Sequence, residues 1–202
     1  WIDAGAPTND DCRVRGRGDP YVIYDHLADR WVLTQFANKT TAVGDPLQIQ
    51  CIAVSIGPDP VNDGWYVYTF DLGFSNDYPK LAVWPDGYYM VSQRGYNGNA
   101  VDVTVFDRAT MLNGGAATFQ TRTGSGGSPT IIQLPSELEG TPPPAGTPNY
   151  YVRMIDCDLF AGQGPCPPGP GIGPDLIEVR EFSVDWAVPA NTTFGNVTQL
   201  FP

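Results

Sequence analysis

The chain has 202 residues, with 11 Lys and Arg against 22 Asp and Glu, which gives a formal net charge of −11 at pH 7. Such a chain, with Lys39 and Lys80 as its two lysines, offers no basic surface for a phosphate backbone, so nucleic acid is excluded as a partner. No apolar run approaches the roughly 20 residues that span a bilayer, and 23 Gly and 20 Pro residues interrupt every stretch that would otherwise form a long helix. The composition therefore predicts an all-β protein without membrane insertion.

The first predicted unit of strands starts at Gly18. An apolar strand at 21–24, a tight turn at 25–29 and an aromatic-led strand at 31–36 predict a hairpin. Two further strand-like runs follow at 47–57 and 65–72, separated by a turn rich in Pro and Asp.

A similar unit begins at Asn76. It again places Asp and Pro before an apolar strand, which leads through the turn Pro85-Asp86-Gly87 into an aromatic-led strand. Its remaining strands are predicted at 100–108 and 116–122. A third, looser copy uses the runs 131–138, 149–156, 176–186 and 193–201. Four short strands in each period of about 58 residues are typical of β-propeller blades, predicted here at about 18–75, 76–122 and 130–202.

Three blades form an incomplete ring, because known propellers have about four to eight blades. A repeat of this kind needs a neighbour on each side to bury both of its faces. We therefore expect further blades of a longer chain, or other copies of this chain, to complete the structure. The start at Trp1 indicates processing or an internal segment. A β-sandwich is the alternative fold, since it also gives short strands at regular spacing.

Four cysteines, Cys12, Cys51, Cys157 and Cys166, have no metal-binding spacing and allow three disulfide connectivities. Their separations in the sequence favour Cys12–Cys51 and Cys157–Cys166. Three sequons, at Asn38, Asn191 and Asn196, agree with an exported glycoprotein. Together these features predict an extracellular protein, either secreted or at the cell surface.

Several segments resemble, in order, a family of secreted bacterial proteins of uncharacterised function that are taken to be β-propellers. The matching segments are GDPYVIYDHLADRW, CIAVSIGPDP followed by WYVYTF, NDYPKLAVWPDGYYM, VTVFDRATMLNGG, LPSELEGTPPPAGTPNYY and EFSVDW. The resemblance spans about Cys12 to Trp186. It implies the propeller fold and export, and it brings no catalytic residues with it.

A weaker similarity links the chain to five-bladed arabinanase and xylosidase-like glycosidases. It lies in Asp19-Pro20, Asp77 and Glu139-Gly140. If these three carboxylates converged in one funnel, two of them would suit acid and base roles at a separation of about 5 to 9.5 Å. A glycan-active hydrolase is therefore one alternative function, and a lectin that stacks its aromatic residues on sugars is another.

No other catalytic constellation is found in the sequence. His26 lies beside Asp25 in a turn, which allows a base oriented by a carboxylate but is more simply a surface turn. The Asp-rich turns, for example Asp10-Asp11, Asp25 to Asp29 and Asp59 to Asp63, offer oxygen ligands for calcium, although Asp is also an ordinary turn former. The preferred interpretation is a non-catalytic extracellular propeller module without a cofactor, with a structural, assembly or adhesive role.

Overall fold

The computed structural model describes residues 1, 3–40, 47–94, 100–124, 132–159, 166 and 175–200. In this part of the chain the predicted all-β architecture is confirmed; the first two predicted units form four-stranded sheets, whereas the third forms a five-stranded sheet, because its last predicted strand is two short strands that both pair with the preceding one. The first sheet contains β1 (Gly16–Asp25), β2 (Arg30–Asn38), β3 (Leu47–Ser55) and β4 (Trp65–Asp71). The second sheet contains β5 (Asp77–Trp84), β6 (Gly87–Arg94), β7 (Ala100–Phe106) and β8 (Phe119–Gly124). The third sheet contains β9 (Leu134–Pro135), β10 (Asn149–Ile155), β11 (Leu176–Ser183), β12 (Thr193–Phe194) and β13 (Thr198–Leu200).

Every strand pair is antiparallel, and the strands of each sheet follow one another in chain order. In the third sheet β11 pairs with both of the short strands that follow it. Two one-turn helices, α1 (Asp11–Val14) and α2 (Arg108–Met111), and a 3₁₀ turn at Pro189–Asn191 complete the described elements. No described sheet closes on itself.

The three sheets pack face to face, with the second sheet in the middle. One core joins Val32, Ile52 and Val54 of the first sheet to residues of the second, including Tyr88 and Met90. A second core joins the opposite face of the second sheet to Leu138, Tyr151 and Phe182 on the third-sheet side. Because both faces of the second sheet are covered, β6 and β7 are buried in long runs, and in β7 these runs include the polar residues Asp102 and Thr104. The molecule is thus a stack of three antiparallel sheets, a packing common to propeller blades and sandwich layers.

β1 and β5 contain the same irregularity. Asp19 and Tyr78 both have a left-handed backbone, with φ of 46° and 52°, and a proline follows each of them. The register of the strand pair shifts at both places, as at a β-bulge. The sequence repeat therefore extends to an unusual backbone conformation.

The outer faces of the stack differ from each other. On the first sheet, the N-terminal segment with α1 packs against Ala37, Ile49 and Cys51, and the Cys12–Cys51 disulfide joins the segment to β3. On the third sheet, the outward side chains of β10 and β11 face away from the second sheet. The large apolar residues exposed there are Leu134 (49%), Val152 (37%), Met154 (63%), Ile177 (44%) and Leu200 (51%).

Both predicted disulfides are confirmed. Cys12 pairs with Cys51, and Cys157 pairs with Cys166 across nine residues of chain. All four cysteines are buried. The two disulfides are compatible with an extracellular protein.

Candidate functional site

The first strands of the three sheets, β1, β5 and β9, lie side by side, each at one edge of its sheet. A cleft of about 330 Å³ opens along these edges. It is lined by Tyr21, Ile23, Tyr24, Lys80, Leu81, Leu134, Pro135 and Glu137. The volume lies at the lower end of the range for small-molecule sites, about 300 to 1,000 Å³. Tyrosine rings and aliphatic side chains supply most of the lining, and one cation and one carboxyl group supply its charge.

Lys80 provides the cation of this cleft. Its Nζ lies 3.7 Å from the ring centroid of Tyr78 and 6.0 Å from that of Tyr21. The ammonium group donates one hydrogen bond, of 3.2 Å, to the carbonyl oxygen of Pro79. No described carboxylate oxygen lies within 4.0 Å of it. An ammonium group has three N–H donors, so two of them remain free for a ligand in the described structure.

Glu137 provides the carboxyl group at the other end of the cleft. Much of this side chain is exposed, but its carboxyl group turns toward β5, where Oε2 accepts a 3.2 Å hydrogen bond from the Val83 N–H. Burial raises the pKa of Glu137, and the charges of Asp25 and Glu139 raise it further. The Val83 N–H and the nearby His26 lower the pKa in part. The second carboxylate oxygen has no described partner and is available to accept a hydroxyl.

None of the predicted glycosidase carboxylates lines the described cleft. Asp77 lies at the start of β5, six residues before Val83, which is about 20 Å along an extended strand. Glu137 contacts Val83, and Glu139 follows it by two residues. On this placement Asp77 and Glu139 would be farther apart than the about 5 to 9.5 Å that acid and base groups need.

Asp19 lies on β1, the strand beside β5. It is exposed at the bulge of β1, the position that Tyr78 occupies in β5. The Tyr78 N–H donates to Asp77, the residue before it, at 2.9 Å. A catalytic role for Asp19, Asp77 and Glu139 stays a prediction.

Asp25 forms the strongest polar contact between the first and second sheets. It is fully buried, and its carboxylate accepts hydrogen bonds from Arg108 Nε (2.6 Å) and Nη2 (2.9 Å) and from the Tyr88 hydroxyl (2.8 Å). The backbone N–H groups of Leu27 and Ala28 also donate to it, at 3.1 and 3.2 Å. Asp25 is thus a structural group that is saturated with donors, not a partner for His26, which is exposed in the same turn.

A related contact joins the second and third sheets. Asp107 and Asp185 each accept N–H groups in the turn after the third strand of their sheet. The next residue then reaches back to the first hairpin of the preceding sheet. Arg108 bonds the Asp25 carboxylate, and Trp186 Nε1 donates to the Asp86 carbonyl oxygen at 2.9 Å. We call this arrangement the inter-sheet clasp.

The other aspartates of the predicted calcium turns are also occupied by protein donors. Asp59 accepts from the N–H groups of Val61 and Asn62, and Asp10 accepts from the Cys12 N–H. These are the bonds of ordinary Asp turns. In the part of the chain that the structure describes, no group of three or more His, Cys, Asp and Glu is placed to hold a metal ion.

The three sequons lie in different surroundings. Asn191 and Asn196 are exposed, while Asn38 is half-buried at the end of β2. The Asn191 side chain donates to Asp185 at 3.0 Å. Asn196 lines a shallow groove beside β11 on the outer face of the third sheet. Glycosylation at these positions stays a prediction.

Sequence reasoning did not find Lys80, Glu137 or Arg108 as important residues. The sequence did carry one indication for Lys80. It is one of two lysines, and it follows the repeated proline at the position that Tyr21 holds in the first unit. The partner of Arg108 is 83 residues away in the chain. No local pattern indicates such a contact.

Comparison with protein-family models, curated proteins and solved structures returns no match for this chain. Neither of the two described α-helices has the length or the apolar composition to cross a bilayer.

Proposed function

We propose that this chain is a non-catalytic extracellular module built from three β-propeller blades. Its role is structural or adhesive, and it is completed by further blades of a longer chain or by neighbouring copies. The single observation that carries the proposal is the apolar outer face of the third sheet. The separation of the predicted glycosidase carboxylates supports a non-catalytic role.

The exposed apolar residues of the third sheet form one continuous patch. Cross-strand pairing places Leu134 opposite Val152, and Ile177 opposite both Met154 and Leu200. Among the outward residues of β10 and β11, Glu181 alone is charged. Continuous apolar patches of this kind mark interaction sites in soluble proteins. The inward face of the same sheet already packs on the second sheet.

The inter-sheet clasp supports a stack that continues in the same direction. Each clasp runs from the third strand of one sheet to the first hairpin of the sheet before it. The third sheet also has a connection between its first two strands, in which Glu139 is exposed and makes no described hydrogen bond. A further sheet packed on the third would cover the apolar patch with its inner face. The residue after its third strand would reach this connection, as Arg108 of the second sheet reaches Asp25 of the first.

The opposite end of the stack is partly covered. α1 and the Cys12–Cys51 disulfide occupy one end of the outer face of the first sheet. End units of stacked repeats commonly carry such a cover, whereas internal units do not. Assembly is therefore directed mainly through the third sheet.

The oligomeric state of the purified 202-residue chain tests the proposal. We expect concentration-dependent self-association by sedimentation equilibrium, because the isolated chain exposes the apolar patch to other copies. Replacing Met154→Lys together with Ile177→Lys should yield a folded monomer. Leu159→Lys is the matched control, since Leu159 is 69% exposed in a turn outside the patch. A wild-type chain that is folded and monomeric at all accessible concentrations would contradict the proposal.

A further inference from the structure

The cleft formed by β1, β5 and β9 is a second candidate binding surface, which shares Leu134 with the apolar patch. We propose that it binds a saccharide residue that carries a carboxylate, that is, a uronic acid. The proposal rests on the free ammonium group of Lys80, the tyrosine rings around it and the carboxyl group of Glu137 at the far end. These three kinds of group match the three chemical features of such a sugar.

The ammonium group selects the carboxylate. Lys80 Nζ is held between Tyr78 and the cleft and has no described ion pair, in contrast to Lys39, whose Nζ lies 2.6 Å from Asp71. Lys39 and Lys80 are the two lysines of the chain. A ligand carboxylate would therefore form with Lys80 the kind of ion pair that Asp71 forms with Lys39. Such a charge-assisted hydrogen bond is roughly twice as strong as one between neutral groups.

The rings and the carboxyl group select the sugar. Of the rings that line the cleft, Tyr21 is 37% exposed and Tyr24 39%. Tyr24 packs on Trp31 and donates its hydroxyl to Asp29, which holds its ring in place. Each such ring offers a flat apolar surface and a polar tip, a combination that suits the C–H face and the hydroxyls of a sugar ring. The free oxygen of Glu137 is an acceptor for a sugar hydroxyl, and the lining of Leu81 and Pro135 excludes water around the ring. A peptide carboxylate would also use Lys80, but a peptide such as triglycine lacks the C–H face of a sugar ring that would pack on Tyr21.

The chain as a whole is acidic, which opposes the approach of an anion. This long-range repulsion is screened beyond about 8 Å at physiological salt. Within the cleft the charges are more favourable. The carboxylate of Asp25 is neutralised by Arg108, and Glu137 lies at the end of the cleft away from Lys80.

Matched pairs of sugars test the proposal. Isotope-labelled protein would be titrated by NMR with D-galacturonate and D-galactose, and with D-glucuronate and D-glucose, in 150 mM NaCl at pH 7. The members of each pair differ in the C6 group alone, as a carboxylate or a hydroxymethyl. We expect saturable shifts for residues of the cleft, with at least one uronate binding tenfold or more tightly than its neutral partner.

Two variants separate the cleft from non-specific charge effects. Lys80→Met keeps most of the aliphatic stem and removes the charge, so it should weaken uronate binding at least tenfold while leaving the unfolding midpoint close to that of the wild type. Lys39→Met removes the same charge from the surface and should leave the affinity unchanged. The proposal is overturned if no uronate binds at 20 mM, if Lys80→Met binds as the wild type does, or if triglycine binds as tightly as the better uronate.

Discussion

Removing Arg108 should strongly destabilise the contact between the first and second sheets. The Arg108 side chain is 11% exposed and the Asp25 side chain is fully buried, so the change Arg108→Met leaves a carboxylate inside the protein without its cation. The carboxylate would keep the Tyr88 hydroxyl and two backbone N–H groups, and would lose two of its five donors.

The magnitude follows from these bonds. Two hydrogen bonds to a charged group correspond to about 3–6 kcal/mol, at about 1.5–3 kcal/mol each. This agrees with the about 3–5 kcal/mol expected when one partner of a buried ion pair is removed. A domain of this size unfolds with a free energy of roughly 5–15 kcal/mol, so the variant loses a large fraction of its stability.

Urea unfolding, followed by the fluorescence of the five tryptophans, measures this loss. Lys39→Met is the control, because it breaks the partly exposed pair with Asp71 and should change the stability by no more than about 1 kcal/mol. The double variant Asp25→Asn/Arg108→Met should lose less than the two single variants together, since it leaves no unpaired charge. A loss of less than about 1 kcal/mol for Arg108→Met would refute the reasoning, and the clasp would then contribute little to the stability of the contact between the sheets.

Two further predictions concern pH and the disulfides. Burial raises the pKa of Asp86 above 3.8. This carboxyl therefore destabilises the fold as the pH rises through its folded pKa. Asp86→Asn should raise the melting temperature at pH 7 more than at pH 3. The Val188 N–H lowers the pKa of Asp185, so Asp185→Asn should lower the melting temperature more at pH 7 than at pH 3. For either variant, an equal change in melting temperature at both pH values would contradict the direction of its pKa shift. Replacing Cys12 and Cys51 by Ser should lower the free energy of unfolding by about 4 kcal/mol, because this disulfide joins residues 39 positions apart. The same change at Cys157 and Cys166, nine positions apart, should lower it by about 2.6 kcal/mol. Chemical unfolding under oxidising conditions measures both losses. A smaller effect for the longer loop would contradict this order.

The strands were predictable from the sequence because their signals are local. The two hairpins at 21–36 and 80–93 combine apolar alternation with turn residues, and the structure has strands in both. The two disulfides were also predictable, since short separations favour both pairings. The bulges were not predicted as such, although the repeated proline that marks them is visible in the sequence.

The site was much less predictable, because its residues come together only through the packing of the sheets. Asp25 was grouped with His26 as a possible catalytic pair, yet packing of the second sheet buries Asp25 against Arg108 and leaves His26 exposed. Glu139 was selected because a glycine follows it. Glu137, two residues earlier, is the glutamate whose carboxyl reaches the cleft, and its position depends on a contact with Val83 that is 54 residues away.

The prolines of the first strands have a consequence for how this protein meets other chains. Pro20, Pro79 and Pro135 lie on β1, β5 and β9, the strands at one edge of each sheet. Proline has no backbone N–H, so none of these edges presents an unbroken row of donors to a foreign strand. Edges of this kind resist the strand-by-strand addition that leads to amyloid-like aggregation. Along this edge of the stack, contacts with other chains are thereby shifted from the backbone to side chains, which distinguish one partner from another.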